Sequence, residues 1–284
     1  MSEATAPTGG HEGLTGPVRV AVQTVRYGQD PRWLAERWAP ALAQALKVAT
    51  AEGRLREAVV RVGDCSPQPL SLVAQDALGA IFEPLGVRCW CRAFGVNLGH
   101  GRGQNALAEE GRAQAAAEGR AQPEVLVFLN PDALAHPRLL VELLAGLAEP
   151  GVGLVEGRQS PIELPKALDP ATGETPWVSA CCLAVRRDVF EALGGFHPAY
   201  LLQGDDVDLS WRARLAGWAL RSRPTALCFH DKRLRPDGHL AVGATEEQGT
   251  AAGALLLCWR FGLADGLAHL REALRRGSPG QRAA

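Results

Sequence analysis

A chain of 284 residues is long enough for one large domain, or two small ones, with a substantial buried core. Thirty Lys and Arg nearly balance 31 Asp and Glu, so the formal net charge is −1 and the basic excess of a general nucleic-acid binder is missing. The seven cysteines are odd in number, show no C-x-x-C spacing and sit in apolar runs such as RCWCRAF and SACCLAV, which reads as buried reduced thiols rather than a disulfide framework or a zinc site.

The first stretch, MSEATAPTGGHEGLTG, is small and polar; it has no signal-peptide pattern, and a disordered leader is expected over residues 1–17. VRVAVQTV (18–25) is a continuous apolar run bounded by Pro17 and YGQD, the pattern of a strand buried on both faces. Residues 30–53 read as one helix, with Asp30 as N-cap, Pro31 at the first turn and Gly53 as the stop. EAVVRVGDCS is a second strand running into a polar turn, LSLVAQDALGAIFEPLG a helix and VRCWCRAF a strand. NLGHGRGQN (97–105) reads as a glycine-rich loop ahead of an alanine-rich helix. PEVLVFLNPD is a strand with a sharp end, HPRLLVELLAGLAEPG a helix and GVGLVEG a short strand. This strand–helix alternation over 18–156 predicts a mostly parallel sheet covered by helices.

Beyond it, WVSACCLAVRRDVFEALGGF predicts a strand and a short helix closed by Gly194 and Gly195. DDVDLSWRARLAGW predicts a helix ended by Gly217, ALRSRPTALCFH a strand reaching His230, and 245–276 two terminal helices, the second of them basic. The organisation expected is thus a leader (1–17), an α/β domain (18–244), a helical extension (245–276) and a tail (277–284). The longest apolar run, TAAGALLLCW, is shorter than the roughly 20 residues that span a bilayer.

Chemistry can sit in three places. Asp132 follows a buried strand, where ligands collect in open parallel sheets, although Asn-Pro-Asp is also good turn chemistry. Asp205, Asp206 and Asp208 crowd three carboxylates into four positions. A helix N-cap and an i,i+4 pair from Asp208 to Arg212 account for one or two of them, and a cation site or a poised base accounts for the third. His230 ends its strand as a further hard or borderline ligand. The 97–105 loop, with Asn97 and Arg102, can cradle a phosphate or be only a tight turn; it lacks the lysine and spacing of a P-loop, and no G-x-G-x-x-G follows the first strand.

In this order, FLNPD and VSACCLAVRRDVFEALGGFHPAYLLQGDDVDLSWRARLAGW resemble the family 2 inverting glycosyltransferases, in particular the rhamnosyltransferase and galactofuranosyltransferase branch, over about residues 18–231. The resemblance implies a GT-A fold (Rossmann-like, with a mostly parallel sheet flanked by helices), a nucleotide-sugar donor, dTDP- or UDP-linked, and Mg²⁺ or Mn²⁺. By position it implies metal ligation by Asp132 and His230, with Asn130 in place of the first acid of a D-x-D motif. Asp206 matches the general base, and Arg212 with Asp205 belongs to the same acidic motif. Asp64 matches a nucleotide contact, with Asn97, Arg102, Asn130 and Trp177 as the remaining donor-side candidates. Asp205 replaces a more usual glutamate, Ala180 a glycine, and RYGQD the common Tyr-Asn after the first strand.

The acceptor implied is a glycan, a lipid-linked glycan or a small molecule, at a cytoplasmic location or the inner face of the membrane, where LREALRR offers a basic amphipathic surface for peripheral contact or a homodimer contact. An inactive nucleotide-sugar-binding module of the same fold is the alternative. A nucleotidyltransferase would need a basic glycine-rich loop after the first strand, and a glycoside hydrolase rarely shows this parallel rhythm.

Overall fold

The computed structural model describes residues 11–232 and 241–276. An eight-stranded mixed sheet runs in the order β3-β2-β1-β4-β7-β6-β8-β5. Strand β1 (Val18–Arg26) pairs in parallel with β2 (Leu55–Asp64) and β4 (Val125–Leu129), and β2 with β3 (Arg88–Ala93). Strand β7 (Cys182–Arg186) lies antiparallel between β4 and β6 (Val152–Ser160), while β8 (Ala219–His230) is parallel to β6 and antiparallel to the short β5 (Ala133–Ala135). The α/β fold and largely parallel sheet read from the alternation of apolar runs are therefore what the chain forms.

One face of the sheet is covered by α1 (Pro31–Trp33), a π turn (Leu34–Trp38), α2 (Ala39–Ala51), α3 (Leu72–Phe82) and α5 (Leu139–Leu147). Trp38, Leu42, Leu46, Phe82 and Leu139 are almost completely buried there. The helix expected over 30–53 forms, with Asp30 capping the amide of Arg32, but its second turn is wound as π. Removing side chains of that size from water is the main favourable term in folding. The other face carries α4 (His100–Ala117), α6 (Arg187–Ala192) and α7 (Asp205–Leu215) over a core of Phe128, Phe190 and Phe196, whose ring centroids lie 5.0–5.5 Å apart.

The glycine-rich segment differs from its reading as a loop. Only residues up to Gly99 are loop, and His100 begins α4, so Gly101 and Gly103 are helical. A Cβ on Gly101 would meet Phe196 Cβ at 2.8 Å and Asp205 Oδ2 at 2.9 Å, and one on Gly103 would meet Val25 at 2.9 Å. Close packing against Phe196, Asp205 and Val25 leaves no room for a side chain at these two positions. The strand expected from Trp177 starts only at Cys182, and the one expected at 151–157 runs on to Ser160.

Helices α8 (Ala244–Arg260) and α9 (Ala264–Arg276) follow. Of the stretch read as a leader, residues 1–10 lie outside the described residues; from His11 the chain runs along the domain, with the His11 ring stacked on Trp218 at 3.7 Å and the Leu14 amide donating to Leu147 O. Residues 277–284, read as a tail, also lie outside them. No helix among the described residues is long and apolar enough to cross a membrane.

Candidate active site

The carboxyl ends of β1, β4 and β8 open into a cleft of about 910 Å³. Of the residues singled out in the sequence, Asn130, Asp132, Asp205, Asp206 and His230 line it together, joined by His100, Gln159 and Lys232, which the sequence did not single out.

The Asn130-Pro131-Asp132 turn is held from below by two indoles: Trp38 Nε1 donates to Asn130 O at 3.1 Å and Trp33 Nε1 to Pro131 O at 3.0 Å. The Asn130 amide donates to Cys181 O and the Asp231 amide to Asp132 O, which bring the end of β8 alongside. Asp132 Oδ1 stands 3.4 Å from His230 Nε2. His230 Nδ1 lies 2.8 Å from Gln159 Oε1, and Gln159 Nε2 donates to Ser179 Oγ. With the Gln159 oxygen as acceptor, Nδ1 carries the proton and the Nε2 lone pair faces Asp132.

This pair suits a divalent ion. Bonds of about 2.1 Å at a right angle put two adjacent ligand atoms about 3 Å apart. Among the described residues no group of three or more His, Cys, Asp and Glu assembles into a metal site. An ion here would rest on Asp132 and His230 and take its other ligands from a bound molecule or water.

Across the cleft the acidic segment opens α7. Its N-cap is Gly204, at φ 90°, and not one of the aspartates. Asp205 Oδ2 is 2.7 Å from His100 Nδ1, and this contact raises the His100 pKa against the lowering effect of burial. Asp206 accepts from the amides of Ala180 (3.2 Å) and Val207 (2.8 Å). Burial, and then the Asp205 carboxylate, push its pKa up to about 6. Asp208 is fully buried and faces away from the cleft lining, paired with Arg212 Nε (2.6 Å) and Arg260 Nε (2.8 Å). The three carboxylates thus have three settings: Asp205 paired with a histidine, Asp206 facing the cleft with a raised pKa, Asp208 buried between two arginines.

The other candidates lie outside the lining. Arg212 also donates to Leu193 O and Gly195 O, so it ties α7 to the turn before it. Asp64 is buried, bonded to Arg26 NH1 at 2.5 Å and to the amides of Ser66 and Leu70. Because Arg26 NH2 donates to Gln29 O, and the Gly28 amide to Ser66 Oγ, Asp64 shapes the loops whose residues Gly28, Gln29 and Asp30 do line the cleft. Asn97 accepts from the Gly99 amide, and Arg102 donates to Leu98 O on the exposed side of α4. Trp177 lies under Lys166 Nζ at 3.9 Å, and Lys166 is paired with buried Glu156, whose amide partner is Ser179. No motif spacing marks His100 or Gln159; the glycines flanking His100 were the one visible signal.

No family model matches the chain. In sequence it is 38% identical over 79 residues to an N-acetylglucosaminyl-diphospho-decaprenol L-rhamnosyltransferase of Mycobacterium tuberculosis, covering 26% of each chain. It is 30% identical over 131 residues to the pre-mycofactocin glycosyltransferase of the same organism, covering 39% of this chain and 28% of that one. The matched stretches thus span little more than a quarter of either relative. In structure it resembles a mannosyltransferase from Pyrobaculum calidifontis in complex with GDP-Man and Mn²⁺, with a TM-score of 0.55, 17% identity, and 99% of this chain and 81% of that chain covered. It also resembles GalNAc-T7 with UDP, GalNAc and Mn²⁺, with a TM-score of 0.57, 13% identity, and 86% of this chain and 50% of that chain covered. The chain has the GT-A fold, and its distant homologues include an L-rhamnosyltransferase and other family 2 glycosyltransferases.

Proposed function

We propose that this protein is a nucleotide-sugar-dependent glycosyltransferase that moves a hexosyl group to an acceptor hydroxyl with inversion. The observation that carries the reading is Asp206: a cleft-facing carboxylate with a pKa of about 6, across from a His–Asp pair able to hold a divalent ion. A hydroxyl is a poor nucleophile, and a base whose pKa lies just below the working pH is deprotonated yet still takes a proton well. Asp206 accepts the acceptor's proton as the new bond forms on the face opposite the leaving diphosphate, which inverts the anomeric centre.

Each neighbour has a part in this. The Ala180 amide fixes the Asp206 carboxylate, and His100 holds the Asp205 carboxylate beside it. Asp132 and His230 would hold Mg²⁺ or Mn²⁺, which supplies electrostatic stabilisation of the diphosphate as it departs. Lys232, in the same cleft, adds a second positive charge on that side. Asp64, through the Gly28–Asp30 loop, sets the shape of the nucleotide side, while Leu202, Glu246 and Thr250 give the acceptor side its surface. A lipid-linked glycan acceptor fits the activity of the N-acetylglucosaminyl-diphospho-decaprenol L-rhamnosyltransferase.

A thermal-shift panel of UDP, dTDP and GDP, each with and without Mn²⁺, tests the donor half. A Mn²⁺-dependent shift by one nucleotide, lost in Asp132→Ala, is expected. Nucleotide release from the matching nucleotide sugar then tests transfer, and Asp206→Asn is expected to keep the shift and lose about 10²–10⁴-fold in rate. Nucleotide binding with no turnover against any acceptor would move the protein to the binding-module reading.

A further inference from the structure

A second cavity, of about 390 Å³, lies under the middle of α4, between that helix and strands β1 and β2; none of its lining residues lines the cleft. Its origin is legible in the chain. On this face of the sheet, neighbouring strands align Arg61 of β2 with Gln23 of β1. Opposite them α4 presents Ala108, Gly111 and Ala115, and small side chains over a polar row leave space. A Cβ on Gly111 would meet Arg61 Nε at 2.8 Å, so helix and guanidinium are already in contact.

Arg61 is only 7% exposed, yet it forms no ion pair among the described residues. One of its five N–H groups goes to Gln114 Oε1 at 3.1 Å. Glu110 and Glu118 act on it from a distance, and each already faces another arginine, Arg92 and Arg88. Arginines at the rim are paired in the ordinary way, Arg120 with Glu57 and Arg187 with Glu191. A guanidinium buried without a counter-charge is costly, and burial lowers its pKa accordingly. Ala21, Val59, Leu126 and Phe190 supply an apolar wall in the same cavity.

We propose that this cavity binds a small amphipathic anion, with a carboxylate or phosphate-monoester head on Arg61 and an apolar body against Ala21, Val59, Leu126 and Phe190. The site is independent of the transfer reaction. Its volume is in the range of small-molecule pockets, and it sets the buried Arg61 guanidinium beside an apolar wall, with further charged side chains such as Arg120, Glu57, Arg187 and Glu191 around it.

Octanoate and phenyl phosphate are the probes, titrated calorimetrically into the full chain, and their comparison separates a carboxylate from a phosphate source. At least one is expected to bind the wild type, and about tenfold or more weaker binding is expected in Arg61→Gln. Ala115→Phe, which keeps the guanidinium and fills the space, is expected to block the same probe. Both variants should retain the wild-type circular dichroism and the wild-type response to UDP with Mn²⁺. Should Arg61→Gln not fold, Ala115→Phe alone decides. Failure of both probes to bind the wild type, or binding that persists in either folded variant, overturns the proposal.

Discussion

Burial and the Asp205 carboxylate lift the pKa of Asp206 from the usual 3.8 to about 6, so the native state holds this proton more tightly than the unfolded chain does. Between those two values the native state binds more protons, and stability falls as pH rises. Above pH 6 the full cost of the buried charge is present. Asp206→Asn should therefore raise Tm at pH 7.5 and have little effect at pH 3.5, with each kcal/mol worth about 2–4 °C in a protein of this size. The same titration predicts that transfer by the wild type falls as pH drops through about 6, in a kcat profile measured at saturating donor. Arg212 belongs to the opposite class. Asp208 is fully buried, and removing one partner of a buried ion pair costs about 3–5 kcal/mol. Arg212→Met should show a loss toward that range in urea denaturation, moderated by Arg260, and Arg212→Lys should not restore it, because one ammonium cannot reach Asp208, Leu193 O and Gly195 O together.

Two close approaches position the acidic loop at the level of elements. Gly99 and Gly101 let the start of α4 abut residues 196–205: a Cβ on Gly99, at φ +74°, would fall 2.0 Å from Leu201 O. From the other side, Gly253 of α8 lets that helix touch the same loop, and a Cβ there would fall 2.3 Å from Gln203 O. On helix propensity alone Gly253→Ala stabilises α8 by about 1 kcal/mol. The contact predicts the reverse: a lower Tm, faster amide exchange over 201–208 and slower transfer. A higher Tm with unchanged exchange would mean that α8 does not brace the site. None of this could be read from NLGHGRGQN alone, since glycine marks a turn, a phosphate cradle and a tight helix crossing equally well, and the partners that decide, Val25, Phe196, Leu201 and Asp205, lie far away in the chain on either side.

The parallel strands of the molecule as a whole bring Asn130, Asp132 and His230 to the edge where β1 and β4 end, and α7 carries Asp205 and Asp206 to face them. Two protein ligands hold a divalent ion weakly unless a nucleotide completes the shell. Chelation with EDTA should accordingly leave the Tm of the free protein unchanged, while it abolishes transfer and the nucleotide-induced shift, both restored by Mn²⁺. A Tm that falls on chelation without nucleotide would point to a tighter ion site than Asp132 and His230 provide.

Apolar periodicity, the glycine stops and the Asp30-Pro31 cap are local, and so the strands, the helices and the parallel character of the sheet were determined by the sequence taken by itself. The pairing of Asp132 with His230, 98 residues apart, was implied by the family resemblance, and the contact between them follows from the convergence of their strand ends. What each of the three crowded aspartates does was decided only by the tertiary structure. Their charges are the same in the sequence, and they are told apart by partners from elsewhere in the chain: His100 for Asp205, the Ala180 amide for Asp206, Arg260 for Asp208. Electrostatics in a folded protein depends on distance and burial, and neither quantity exists until the chain has folded.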